Sequence, residues 1–186
     1  MMAEAVGAAT VDMDQIQLHP TVYQATSMLV SEKMRSLGAI LVNQEGKRFC
    51  NDLSTRDAVS AAELQQTGGY AYIIFDQNLV DHNKSAQEYI NKGMDDDPST
   101  APFYAIQIAP GIHHTMGGIK IDTDAEVIST DGSVIPGLFA AGETTGGVHG
   151  GNRIGGNAVC DFVVFGRIAG LNAADYAAAL ELAPAA

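Results

Sequence analysis

The sequence is short of cysteine, of positive charge and of long apolar runs, and each shortage removes a class of protein. Its 186 residues hold two cysteines, Cys50 and Cys160, far apart and with no C-x-x-C or His-rich neighbourhood. That spacing speaks against a disulfide scaffold and against a structural zinc site. Two buried free thiols are the expectation, and no metal site is expected. Ten Lys and Arg stand against 22 Asp and Glu, a net charge of −12. An acidic surface repels phosphate backbones and anionic lipid, so neither nucleic acid nor a membrane surface is the expected partner. No apolar run approaches the roughly 20 residues that span a bilayer. Residues 1–5 have neither the basic start nor the apolar stretch of a secretory leader. The G-x-G-x-x-G nucleotide fingerprint and the Walker lysine motif are also missing.

What is present suffices for a folded core: 46% of the residues are hydrophobic and 17% are charged. Glycine is unevenly spread, with eight of the 20 between Gly137 and Gly156. Such density means backbone packed closely on another backbone or on a ligand. The pattern predicts a helix end within 1–10, stopped by Gly7, and an extended run over 12–19 closed by Pro20. It predicts a helix over 28–37 stopped by Gly38, a hairpin over 39–50 and a helix over 57–66 with an Ala-rich face. A buried strand at 71–75 is followed by a polar stretch, 76–100, whose DDDPST at 95–100 is the best linker candidate. Strands follow at 103–109, 118–122, 126–129 and 138–141, with a turn at 131–133. The longest helix, apolar on one broad face, covers 157–176, and the tail after it is expected to fray. There are no internal repeats.

Chemistry-bearing side chains form three groups. His113 and His114 are adjacent, so in a strand they point to opposite faces and cannot serve one metal. The glycine pair Gly117-Gly118 beside them lets a large ligand approach the backbone. Gly142-Glu143 follows a short strand and leads into TTGGVHGGNRIGGNA, then into a helix. Strand, glycines and helix N-terminus together suit an anion or a polar ring, and Glu143, His149, Asn152 and Arg153 distinguish the run from a linker. The third group is His19, Ser31-Glu32, Arg35 and Arg56. Glu32 and Arg35 are three apart on one helix and can touch, which read alone is an ordinary surface ion pair. Arg56, in Ser-Thr-Arg-Asp, read alone sits at a helix start with Ser54 or Thr55 as the cap.

The segments QIQLHPT (15–21), GAILVNQEGKRFCND (38–52), STRD (54–57), HHTMGGIKID (113–122) and PGLFAAGETTGGVHGGNRIGGNA (136–158) closely resemble the flavoprotein of the fumarate reductase and succinate dehydrogenase family. Soluble single-chain fumarate reductases are the nearest in look, and the resemblance runs from about residue 5 to Tyr176. It implies FAD as cofactor and an α/β (mixed α+β) fold: a fragment of an FAD-binding domain plus a mobile capping domain. Residues 1–23 and 106–186 would belong to the flavin domain and 24–105 to a shortened cap. The resemblance implies that His113 and Arg153 bind one substrate carboxylate, His19 and Ser31 the other, and that Gly156 touches substrate through its backbone. It places Arg56 as proton donor, Glu32 and Arg35 as the relay that feeds it, and His114, Glu143, Ala158 and Val159 at the flavin.

The implied reaction is reduction of fumarate to succinate. The implied partners are a small dicarboxylate, an electron donor, and the N-terminal half of the flavin domain, whose glycine fingerprint this chain lacks. Other readings of the same residues are reduction of another acrylate such as urocanate, the succinate dehydrogenase direction, and a non-catalytic fragment. Ser31 stands where a Thr is more usual and keeps the hydroxyl.

Overall fold

The computed structural model describes residues 2–94 and 103–182, and for Leu182 the backbone alone. It divides into two compact units, residues 18–113 and residues 1–17 with 114–186. The chain passes from one to the other within two strands. The fold is mixed α/β, and among the described residues no helix is long and apolar enough to cross a membrane.

The unit 18–113 is built on strands β2 (Ile16–Tyr23), β3 (Met28–Leu29), β4 (Ile40–Val42), β5 (Ala71–Asp76) and β6 (Phe103–Thr115), in the order β3-β2-β6-β5-β4. In the other unit strand β1 (Thr10–Val11) precedes them. In β5 the alternation of AYIIFD turns Ala71, Ile73 and Phe75 to the interior. β5 pairs antiparallel with β6, Ile73 opposite Ile106, and with β4, Leu41 opposite Ile73. Short helices α2 (Lys33–Ser36), α3 (Arg56–Leu64), α4 (Gln77–His82) and α5 (Lys84–Asn91) add Met34, Val59, Leu79, Val80, Ala86 and Tyr89 to the same core.

Several expectations are corrected. The helix over 28–37 shrinks to its last turn. Residues 28–29 are instead captured as β3 by β2, and the Thr21 hydroxyl, donating to the carbonyl of Val30, closes that pairing. β2 does not stop at Pro20 but runs through it to Tyr23. β4 takes β5 as its partner; the expected 39–50 hairpin is present in short form, as an antiparallel bridge of Val42 with Arg48 and a turn closed by Asn43 N–H to the Lys47 carbonyl. The polar stretch 76–94 contains α4 and α5, capped by the Asp76 and Asn83 side chains. The linker candidate 95–100 lies outside the described residues. The strand expected at 103–109 continues to Thr115. Cys50 is half-buried and Cys160 is exposed, so neither is the buried thiol expected.

The other unit begins with α1 (Met2–Ala5), and the chain turns at Gly7 as expected. Its sheet joins β1 to β7 (Gly118–Lys120) antiparallel and β7 to β10 (Thr145–Gly146) parallel. A hairpin of β8 (Glu126–Ile128) and β9 (Val134–Phe139) turns through Asp131-Gly132, so the strand expected at 138–141 lies earlier. Helix α6 (Asn157–Leu182) starts where expected but runs six residues past Tyr176. Its apolar residues face all ways: Phe162, Val163, Leu171 and Leu180 are exposed while Asp161 is buried.

Candidate active site

In the unit 18–113, β2, α2 and α3 gather four of the named polar residues. β2 carries His19, whose ring is 1% exposed. The Thr21 N–H donates to its Nδ1 at 3.3 Å, an arrangement that leaves the ring proton on Nε2. Nε2 faces the Glu32 carboxylate at 4.0 Å. Burial, then the neighbouring His113, Arg56 and Arg35, push the His19 pKa down to about 3 despite Glu32, so the ring is neutral at pH 7. His113, on β6, meets it edge-to-face with ring centroids 5.0 Å apart.

Glu32 is the residue before α2, already in helical conformation, and forms an ion pair with Arg56 at the start of α3. Burial raises the Glu32 carboxyl, but the hydrogen bond and charge of Arg56, with His19 and Arg35, hold it below its ordinary value. Arg56 is itself buried. Thr55 occupies the α3 N-cap without a side-chain hydrogen bond, so the expected Ser or Thr cap is not made. Arg35 spends Nη1 on the Asp52 carbonyl, 2.6 Å away, and acts on Glu32 through its charge. Burial lowers its guanidinium below the usual arginine value. Ser31 is oriented twice: its N–H donates to the Tyr89 hydroxyl at 3.0 Å and its Oγ accepts from the Lys33 N–H at 3.3 Å.

In the unit 1–17/114–186 a second group assembles on β6, the 142–144 turn and the glycine-rich loop. His114 points away from the face that carries His113, as the strand alternation requires. Its Nδ1 lies 3.2 Å from Glu143, and its ring meets His149 edge-to-face at 5.6 Å. Burial, Arg153 and His149 lower the His114 pKa, against Glu143. The Thr115 N–H donates to Glu143 at 2.9 Å, and His149 pairs with the buried Asp161 on α6 at 3.1 Å.

Gln17 fixes the loop, donating to the Arg153 carbonyl at 2.7 Å and the Asn152 side chain at 2.8 Å. Arg153 is buried, with Nη1 3.3 Å from the Ile154 carbonyl. Gly156 has φ +85°, a conformation that side-chain-bearing residues rarely adopt, and open space where a Cβ would stand. Ala158 and Val159 lie in the first turn of α6, Val159 exposed.

The glycines beside the histidines do something other than expected. A Cβ on Gly117 would lie 1.9 Å from the Asp12 carbonyl oxygen, and one on Gly118 would lie 2.5 Å from that of Thr144. Backbone, not ligand, occupies that approach. Sequence reasoning also passed over Gln17, Asp52, Asp161 and Glu63, each buried and polar. A polar residue at a predicted inward position of a strand, as Gln17 is in β2, is the signal that could have found the first.

A cavity of about 680 Å³ opens in the same unit, with mostly apolar walls from Met13, Gly118, Ile119 and Leu138 and with Thr115 and Glu143 among its polar lining. Its size and lining suit a flat, largely apolar ring with a polar rim. The positive end of α6 and the open backbone at Gly156 suit an electron-rich or anionic group. These residues fit a flavin.

The FAD binding domain family matches residues 1–159. The chain is 45% identical to the NADH:fumarate oxidoreductase of Klebsiella pneumoniae (strain 342), over 93% of this chain and 24% of that protein. It is 42% identical to the fumarate reductase (cytochrome) of Shewanella frigidimarina, over 94% of this chain and 38% of that protein. A solved open conformation of a flavocytochrome c3 fumarate reductase superposes with a TM-score of 0.71 at 42% identity, covering 95% of this chain and 39% of that one. The chain thus spans between a quarter and two-fifths of the length of these relatives. With residues 1–159 matched and both groups of polar residues in place, the chain belongs to the fumarate reductase and succinate dehydrogenase flavoprotein family and carries part of its FAD-binding domain.

Proposed function

We propose that the protein reduces an α,β-unsaturated dicarboxylate, fumarate to succinate, with FAD as cofactor and residues 24–105 as the capping domain. The observation that carries this reading is the ion pair of the buried Arg56 with Glu32, beside two histidines that meet edge-to-face. A buried charge is costly unless it is paired, and this arrangement offers a fixed cation, a carboxylate and, in His19, a neutral imidazole donor. Bound FAD supplies the hydride; His114, Glu143, Ala158 and Val159 would hold it.

The chain's own residues do the rest. His19 and Ser31 bind one substrate carboxylate, and His113 and Arg153 the other, with the Gly156 backbone as a further contact. A neutral His19 donates through Nε2–H without adding a charge beside Arg56. Arginine suits bidentate capture of a carboxylate. Clamping both ends polarises and orients the double bond, so positioning and electrostatics carry most of the catalysis. Arg56 gives a proton to the carbon that does not receive the hydride. Glu32 returns one to Arg56, and Arg35 supplies Glu32. Re-protonation through a carboxylate in direct contact means that a neutral guanidine never accumulates, which answers the objection that arginine is a poor acid.

The test is reoxidation of the reduced, flavin-loaded protein by a panel of acids. Fumarate should reoxidise it at least about tenfold faster than a monocarboxylic acrylate, since one charge-assisted clamp contributes about 1.5–3 kcal/mol. Faster reoxidation by urocanate would move the reading to that substrate. Equal rates for mono- and dicarboxylates, or none, would contradict it.

A further inference from the structure

Glu63 lies on α3 seven residues after Arg56, two turns along the same side of the helix. It is completely buried, and among the described residues neither carboxyl oxygen has a hydrogen-bond partner. An orphaned buried carboxyl destabilises a fold, and a leucine in its place would pack without that cost. Two titratable groups face it from other elements: Arg35 on α2, which favours its anion, and the Cys50 thiol in the segment before α3. Arg35 is itself incomplete. Its Nη1 donates to the Asp52 carbonyl, while its buried Nε has no partner among the described residues. A donor without an acceptor and a carboxyl without a donor therefore belong to neighbouring groups. A water bridging the two would satisfy both.

Resting on the reading above, we infer that Glu63 is the inner end of the proton supply, a positioning residue that stores a proton and returns it to Arg35 after each turnover. Burial holds its pKa up to about 9, so at pH 7 it is a neutral acid with a proton to give. The transfers balance. Arg56 gives its proton to carbon, and a proton of Arg35 passes through the Glu32 carboxylate to restore Arg56. The Glu63 O–H proton then restores Arg35, and water reloads the Glu63 carboxylate. Each step moves one proton and no electrons, and the sum is the single solvent proton that alkene reduction takes up beside the hydride.

Glu63→Gln and Glu63→Leu in the flavin-loaded protein test this, because both remove the acid and the second also removes the buried polar group. Glu63→Leu should raise the thermal midpoint while both variants lose about tenfold in kcat, with KM within about twofold and a larger solvent isotope effect on kcat. A structural role would move stability and turnover together. Independently of turnover, a protonated-carboxyl infrared band should be present at pH 7, fade as pH rises through about 9 and be absent from both variants. Wild-type kcat and isotope effect in the variants, absence of the band, or activity lost only in step with stability would each overturn the inference. If the wild type reduces fumarate and the variants are unaffected, this inference alone fails; if the wild type reduces no unsaturated dicarboxylate, it fails together with the reading it rests on.

Discussion

The two units hold their polar groups by different means. In residues 18–113, Arg56, Glu32, Arg35 and His19 sit on elements whose backs are fastened to a continuous core from Val30 to Ile108. Three of them are buried, and their protonation is set by burial and by one another. In the other unit, Arg153, Gly156, Ala158 and Val159 sit on a glycine-built loop and the first turn of a helix with apolar side chains exposed along its length. Its polar groups are held by hydrogen bonds to loop backbone and to neighbouring side chains, such as Gln17 to the Arg153 carbonyl, Thr115 N–H to Glu143 and His149 to Asp161. The first arrangement gives a preset electrostatic state. The second gives backbone shape, set by a glycine-rich loop and the hydrogen bonds that hold it.

If that contrast is right, core truncation should be most costly where the core is closed. Ile73→Ala, at a fully buried centre of the five-stranded sheet, should lose about 2–5 kcal/mol in denaturant unfolding. In the unit 1–17/114–186, Leu171→Gln on exposed α6 should change stability by no more than about 0.5 kcal/mol. Comparable losses at both positions would erase the distinction.

The clamp comes next in size. Arg153→Ala should lower kcat/KM of the flavin-loaded protein by about 1.5–3 kcal/mol, with KM raised and kcat lowered together. A wild-type KM would remove Arg153 from the site. Gln17→Leu should give a smaller version of the same change, because it frees the Arg153 carbonyl without touching the guanidinium.

A subtler effect depends on pH. Folding depresses the His19 pKa from 6.5 to about 3, so between these values the unfolded chain binds the extra proton. Stability therefore falls as pH drops from about 6.5 towards 3. The depressed Glu32 adds to the loss below its ordinary value, since a carboxylate stabilised by Arg56 contributes above that value and is neutralised as pH falls. His19→Gln should flatten the decline in thermal midpoint across this window; an unchanged slope would remove His19 as its source. The smallest effect concerns the thiols. Burial, then the neighbouring Asp52 and Glu63, push Cys50 up to about 11, so at pH 8 it should alkylate at least about tenfold more slowly than exposed Cys160.

Much of this arrangement is legible in the chain. AYIIFD announces β5 by its alternation, Arg56–Leu64 appears as a helix, and the adjacent histidines take opposite strand faces. The losses have physical causes. Residues 28–37 carry helical spacing, but β2 offers Met28 and Leu29 a pairing partner, and tertiary hydrogen bonds outweigh a weak local preference. α4 and α5 were hidden because their polarity masks a short buried stripe, although the Asp76 and Asn83 caps were readable. Gly117 and Gly118 serve backbone packing that depends on Asp12 and Thr144, partners at long range. Glu63 looks like the polar edge of an Ala-rich helix, and its complete burial follows from the core alone.

The most direct test of the central claim, that the preset Arg56–Glu32 pair delivers the proton, is Arg56→Ala in the reduced, flavin-loaded protein mixed with fumarate. Wild-type flavin content, dicarboxylate binding within about threefold and reoxidation slowed by at least about a hundredfold are the expected result. Reoxidation at more than about a tenth of the wild-type rate, a loss below roughly 1.4 kcal/mol of barrier, would contradict it and assign the proton to another group.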